Sequence, residues 1–131
     1  MVLITFEKIV MNILIIEDEE ILSKVLKDKF LENGWGVKVA FDGDEGLDVL
    51  KKSSFSVVLL DLLLPKKDGF QVLREIRENP DNKALPVLVI SNLGGEDDIK
   101  EAMKLGATDY FVKNRHSLKE IVKKAKSYLS V

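Results

Sequence analysis

The stretch "VVLLDLLLPKKDGF", residues 57–70, decides the fold. Seven aliphatic side chains flank one carboxylate, Asp61, and Pro65 and Gly69 follow at four-residue intervals. A charge inside an apolar segment is costly unless something pairs with it. Asp61 therefore stands where the segment leaves the core, or faces a dedicated partner, or both. The near-continuous aliphatic run before it is the pattern of a parallel strand covered on both faces.

Working outward, the same kind of run recurs. Strands are expected at 12–17 ("NILIIE"), 37–40 ("VKVA"), 56–61 ("SVVLLD"), 86–91 ("PVLVIS") and 109–113 ("DYFVK"). Amphipathic stretches separate them. Ile21, Leu22, Val25, Leu26 and Phe30 keep one face of a first helix, which Asn33-Gly34 ends. Asp42 with Glu45, and Asp68 with Gln71, have capping-box spacing at the next two helix starts. Val72, Leu73 and Ile76 supply the apolar side of the third helix, and Ile99, Ala102 and Met103 that of the fourth. The fourth opens with Glu96, Asp97 and Asp98 at its positive end. Ser117 and Glu120 cap a fifth, whose stripe is Leu118, Ile121, Val122, Ala125 and Leu129. Five strands alternating with five helices give a doubly wound α/β fold with a five-stranded parallel sheet, and the common order for that count is 2-1-3-4-5.

Composition fits one soluble domain. The 131 residues are 46 % hydrophobic and 32 % charged, enough to bury a proper core. The chain has no cysteine, which excludes disulfides and thiolate metal sites and makes a cytoplasmic location the expectation. A net charge of −2 gives no overall electrostatic case for nucleic acid or anionic lipid. No apolar run approaches the roughly 18–20 residues of a membrane span. Residues 1–10, "MVLITFEKIV", lack the features of a signal peptide. They are expected to be an N-terminal extension of uncertain role, dispensable or packed on the sheet or a partner, ahead of a domain over 11–131.

In a doubly wound sheet, function collects at the carboxyl ends of the strands. Strand 1 ends in Glu17-Asp18, strand 3 in Asp61, strand 4 in Ser91 and strand 5 in Lys113. Strands 1 and 3 are neighbours in the expected order, so three carboxylates converge. Carboxylates that close repel unless a cation sits among them. An oxygen-only set without His or Cys suits a hard cation, above all Mg2+. A group held between that cation and Lys113 should be anionic and oxygen-rich, as a phosphoryl group is. Asp61 is then a nucleophile toward phosphorus.

These pieces together resemble the receiver domain of response regulators, the flavodoxin-like CheY-like fold, over residues 11–130. The matching residues are Glu17-Asp18, Asp61 with Pro65 and Gly69 behind it, Ser91, and "GATDYFVK" ending in Lys113. The resemblance implies that Asp61 accepts a phosphoryl group from a sensor histidine kinase or a phosphotransfer protein. It implies that Asp18, Asp61 and the backbone carbonyl of Leu63 bind Mg2+, with help from Glu17. Lys113 and Ser91 would hold the phosphoryl oxygens, and Ser91 with Tyr110 would form the switch, Tyr110 turning inward as Ser91 moves. The output would be a changed surface of helix 4, strand 5 and helix 5, with Lys100, Lys104 and Tyr110 as contributors. It would act on a protein target, without direct contact to nucleic acid or membrane, from a monomer or a phosphorylation-dependent dimer. A stand-alone, single-domain receiver is expected.

Three positions depart from the family pattern. Asn114 stands where a proline preceded by a cis bond is usual, and a non-proline cis bond costs about 2.5–4 kcal/mol. A trans Lys113–Asn114 bond, or a visibly strained one, is therefore expected, with a slightly altered lysine position. Leu63 and Leu93 lie two residues beyond Asp61 and Ser91, where neither can orient a water, and this predicts a long-lived acyl phosphate. Leu63 also argues against a phosphatase of the haloacid-dehalogenase type, which needs an acid/base carboxylate there. A flavodoxin-like cofactor binder needs a phosphate-cradling first loop, and "EDEE" would repel phosphate. A metal-independent pseudo-receiver would not need the acidic set and lysine that are present. The chain is thus expected to carry a signal rather than turn over a substrate. Glu19 and Glu20 are expected only to favour the amino end of the first helix, Trp35 to pack, and His116 to lie at the surface. Lys119, Lys123, Lys124 and Lys126 are expected to form a solvated face.

Overall fold

Residues 11–128 are described in the computed structural model, and the expectations for residues 1–10 and for Leu129 lie outside them. The elements run β1 (Asn12–Ile16), α1 (Glu20–Glu32), β2 (Gly36–Ala40), α2 (Gly43–Lys52), β3 (Val57–Leu60) and α3 (Gly69–Glu78). A 3-10 turn (Pro80–Asn82), β4 (Val87–Ser91), α4 (Glu96–Lys104), β5 (Asp109–Val112) and α5 (Leu118–Ser127) complete the chain as described. All pairings are parallel and the order is β2-β1-β3-β4-β5, the expected five-stranded, flavodoxin-like CheY-like topology. β1 pairs with both β2 and β3, so the chain reverses its direction of travel across the sheet beside β1 and β3.

The aliphatic runs explain the layers. Ile13, Ile15, Val57, Leu59, Leu88 and Ile90 face Leu26 and Phe30 of α1 and Ile121, Val122 and Ala125 of α5. The alternate residues Leu14, Ile16, Val58, Leu60, Val87 and Val89 face Val72, Leu73 and Ile76 of α3 and Ala102 of α4. Side chains of a strand alternate between faces, so both sets must be apolar and the runs are continuous. Each such side chain contributes about 1.5–3 kcal/mol when fully buried. No helix among the described residues is long and apolar enough to cross a membrane.

The helix ends follow their sequence signals. Gly34 takes φ +82° after Asn33, a left-handed conformation that glycine adopts without steric cost. The Asp42 and Asp68 side chains accept from the backbone N–H of Glu45 and Gln71, and Ser117 with Glu120 closes a full capping box. Trp35 packs as expected, its ring 5.0 Å from that of Phe30.

Two apolar assignments are corrected. Ile21 is 83 % exposed and Met103 44 % exposed. Both fit a helical stripe but sit at its margin, beyond the reach of the sheet. Arg77, which sequence patterning did not single out, donates to the carbonyls of Gly106, Asn82 and Leu85. It thereby ties the end of α3 to the turns before β4 and β5. There is no cis peptide bond among the described residues, so Lys113–Asn114 is trans, as expected.

Gly69 fixes how the chain leaves β3. A Cβ there would run into the carbonyl oxygen of Asp61 and the Cα of Leu62. Both are backbone atoms and cannot swing aside. Gly69→Ala is expected to destabilise the fold by about 2–3 kcal/mol, measured as a lower denaturant midpoint with an unchanged slope.

Candidate functional site

The first strand supplies the acidic pair by running out of the sheet. Glu17 still pairs its N–H with the Ala40 carbonyl at 3.0 Å and is fully buried, whereas Asp18 is exposed. Asp61 follows the last residue of β3, and its N–H reaches the Ile16 carbonyl at 3.0 Å. The Asp61 side chain is 3 % exposed. Its Oδ1 accepts from the Leu63 N–H at 3.1 Å and its Oδ2 from Lys113 Nζ at 3.1 Å. Glu17, Asp18 and Asp61 each place a carboxylate oxygen within 4.8 Å of the others.

Lys113 is brought in by β5, its own N–H bonded to the Ser91 carbonyl at 2.9 Å. Its ammonium lies among the acids, 2.5 Å from Glu17 Oε1, 3.1 Å from Asp61 Oδ2 and 3.3 Å from Glu19 Oε2. The contact with Glu17 is an ion pair without hydrogen-bond alignment, since Oε1 is buried and takes no directed hydrogen bond. Glu19 was expected only to favour the amino end of α1. It is the N-cap residue, yet its side chain makes no cap hydrogen bond and reaches Lys113.

Ser91 is fully buried at the end of β4, and its hydroxyl oxygen accepts from the Leu93 N–H at 3.2 Å. Tyr110 is half-buried, and its hydroxyl donates to the Leu93 carbonyl at 2.5 Å. Burial raises the Tyr110 phenol above its ordinary value, while the neighbouring Ser91 acts in the opposite direction. Ser91 and Tyr110 therefore meet at the β4–α4 loop. The Leu63 side chain is 51 % exposed and Leu93 is half-buried. His116 sits edge-on to Phe111 at 5.2 Å and pairs with Glu120 at 3.0 Å. In the lysine-rich α5, Lys124 pairs with Asp109 at 3.7 Å and Lys126 with Asn33 at 2.5 Å.

Charge does not balance around Lys113. Three carboxylates share one ammonium, so either a proton or a cation must enter. Burial, and then Asp61 beside it, pushes Glu17 up to about 8, against the lowering effect of Lys113. Burial alone would lower Lys113, but Glu17 and Asp61 outweigh it and keep the ammonium charged. A buried carboxylate oxygen without a directed donor, in an oxygen-only cluster, is the donor set a hard divalent cation takes.

This is the fold and acid cluster of a receiver domain, and the chain belongs to that family: the model of the response regulator receiver domain matches residues 13–126. Phosphorylation on an aspartate is the family's function, and its members bind Mg2+ at an acidic pocket. Among curated relatives, the transcriptional regulatory protein CiaR of Streptococcus pneumoniae is 41 % identical over 102 residues, covering 78 % of this chain and 44 % of that protein. The transcriptional regulatory protein DltR of Streptococcus agalactiae is 33 % identical, covering 79 % and 45 %. The chain thus spans about half the length of the curated relatives it matches. The solved Francisella response regulator 1452 receiver domain superposes with TM-score 0.82 at 30 % identity, covering 89 % of this chain and 94 % of that one. CheY4 of Vibrio cholerae, at 23 % identity and TM-score 0.84 over 91 % of this chain and 98 % of that one, shares the fold.

The Glu17 shift carries a sign. A carboxyl held above its ordinary 4.5 favours the fold when protonated. Its contribution is full below about pH 4.5 and is lost as pH rises through about 8. Metal-free protein is therefore expected to lose up to about 4 kcal/mol of stability between pH 5 and 9. Glu17→Gln should flatten that slope in denaturant titrations run in a chelator.

Proposed function

We propose that Asp61 is the phosphoacceptor of a two-component signalling protein and that its charge state is set by a divalent cation and Lys113. The observation that carries this reading is a buried Asp61 carboxylate bonded to Lys113 Nζ at 3.1 Å, with Glu17 and Asp18 converging on it. Asp18, Asp61 and the Leu63 carbonyl would hold Mg2+, and Glu17 would complete the set. Bound there, Mg2+ supplies positive charge against the carboxylates and the incoming phosphate. An Asp61 oxygen attacks the phosphorus of a phosphohistidine. The P–N bond breaks with its electron pair left on the imidazole, and an acyl phosphate remains. Lys113 exchanges carboxylate for phosphoryl oxygen, and the Ser91 hydroxyl, which accepts from the Leu93 N–H, donates to another.

Movement of Ser91 then reaches the β4–α4 loop through Leu93, to which Tyr110 is bonded. Such a move biases two arrangements of the α4, β5 and α5 surface, with Lys100 and Lys104 on the exposed side of α4. The donor is a sensor histidine kinase or phosphotransfer protein, and the recipient of the signal is a protein. The site has no carboxylate at Leu63 to protonate a leaving group, so it acts as a signal carrier rather than a turnover enzyme.

Incubation with acetyl phosphate and Mg2+, read by intact mass, is expected to add one phosphoryl group to the wild type. Asp61→Asn, and the wild type in chelator, should add none. Uptake by Asp61→Asn equal to that of the wild type would refute the assignment.

Leu63 and Leu93 flank the acceptor without a polar group to align water. Combining Leu63→Asn with Leu93→Glu is expected to shorten the acyl phosphate lifetime at least about tenfold, followed by loss of the added mass after the donor is removed.

A further inference from the structure

Glu19 stands apart from the three carboxylates that would serve the cation. It is the N-cap residue of α1, with φ −74° and ψ 109° and no cap hydrogen bond from its side chain. A short acceptor such as Asp at that position accepts from the first-turn N–H groups, and the longer Glu19 is free to reach elsewhere. Here its Oε2 instead lies 3.3 Å from Lys113 Nζ, across 94 residues of sequence. The Glu19 side chain is half exposed, at 51 %, while that of Lys113 is 12 % exposed. The contact therefore closes the solvent side of a largely buried ammonium.

The consequence follows from the order of events in the proposed phosphotransfer, on which this inference rests. Without a cation, Lys113 is shared among Glu17, Asp61 and Glu19. With Glu17 and Asp61 engaged by a divalent cation, Glu19 would be the one carboxylate on Lys113, among the described residues, that the cation does not serve. An arriving phosphoryl group needs the same ammonium. We propose that Glu19 is a positioning residue that tethers Lys113 in the metal-loaded, unphosphorylated protein, and that it slows phosphoryl uptake by competing for the lysine. Glu20, next in sequence, carries the same charge in the first turn of α1 and makes no ion pair to Lys113. It separates a contact effect from a general field.

The test compares Glu19→Gln, Glu20→Gln and wild type for uptake from acetyl phosphate at saturating Mg2+. Glu19→Gln is expected to accelerate uptake about two- to fivefold, the range of a partly exposed ion pair, and Glu20→Gln to change it far less. The gain should persist at high salt, where the effect of a distant charge is screened. A second readout is the Lys113 ammonium resonance in 15N-labelled, Mg2+-loaded, unphosphorylated protein. It should shift and broaden in Glu19→Gln and hold its position in Glu20→Gln. Equal acceleration by both variants, slower uptake in Glu19→Gln, or an unmoved Lys113 resonance would overturn the tether. Should the wild type take up no phosphoryl group at all, the functional reading falls, while the resonance still decides whether Glu19 holds Lys113.

Discussion

One ammonium among three carboxylates organises the active end of this molecule. Lys113 comes from the strand end farthest across the sheet, yet its Nζ contacts Glu17, Asp61 and Glu19. The aliphatic strands make this possible. They bury the backbone on both faces and leave polar groups only where the chain exits. A low-dielectric floor strengthens each of these ion pairs. It also makes the surplus negative charge expensive, which is why Glu17 holds a proton so far above the ordinary carboxylate range. The same surplus is what a divalent cation would offset in the proposed metal-loaded state.

The second organising feature is the route out of the site. Ser91 is buried at the end of β4 beside β5, and its hydroxyl is engaged by the N–H of Leu93. The carbonyl of that same Leu93 accepts from Tyr110. Two hydrogen bonds on one residue thus join Ser91 to Tyr110 across the β4–α4 loop. Asn114, in place of a proline, keeps the preceding bond trans, and the lysine still reaches the acids. Proline at that position is not required for the ammonium to enter the cluster in this chain.

Much of this was legible in the residues. Continuous aliphatic runs announced parallel strands, because only a strand covered on both faces has no use for polar alternation. Asp61 after such a run, Glu17-Asp18 after another and Lys113 after a third marked the strand ends. The capping residues Asp42, Asp68 and Ser117 were visible through their spacing. Other features were hidden. Ile21 and Met103 satisfy helical periodicity yet lie outside the core, because periodicity states an angle around the axis and not the extent of the sheet beneath it. Arg77 showed no motif, since its partners are backbone carbonyls that carry no sequence identity.

By itself the sequence determined the fold class, the strand order and the set of groups at the strand tips, because local patterning sets secondary structure and a two-sided apolar sheet admits few topologies. Only the tertiary structure decided how those groups share charge. Glu19 reads as a helix-start residue until the packing of β5 brings Lys113 against it, a contact spanning 94 residues. The protonation of Glu17 likewise depends on burial and on Asp61, which no spacing encodes. Electrostatic partnership depends on distance in space, and folding alone supplies it.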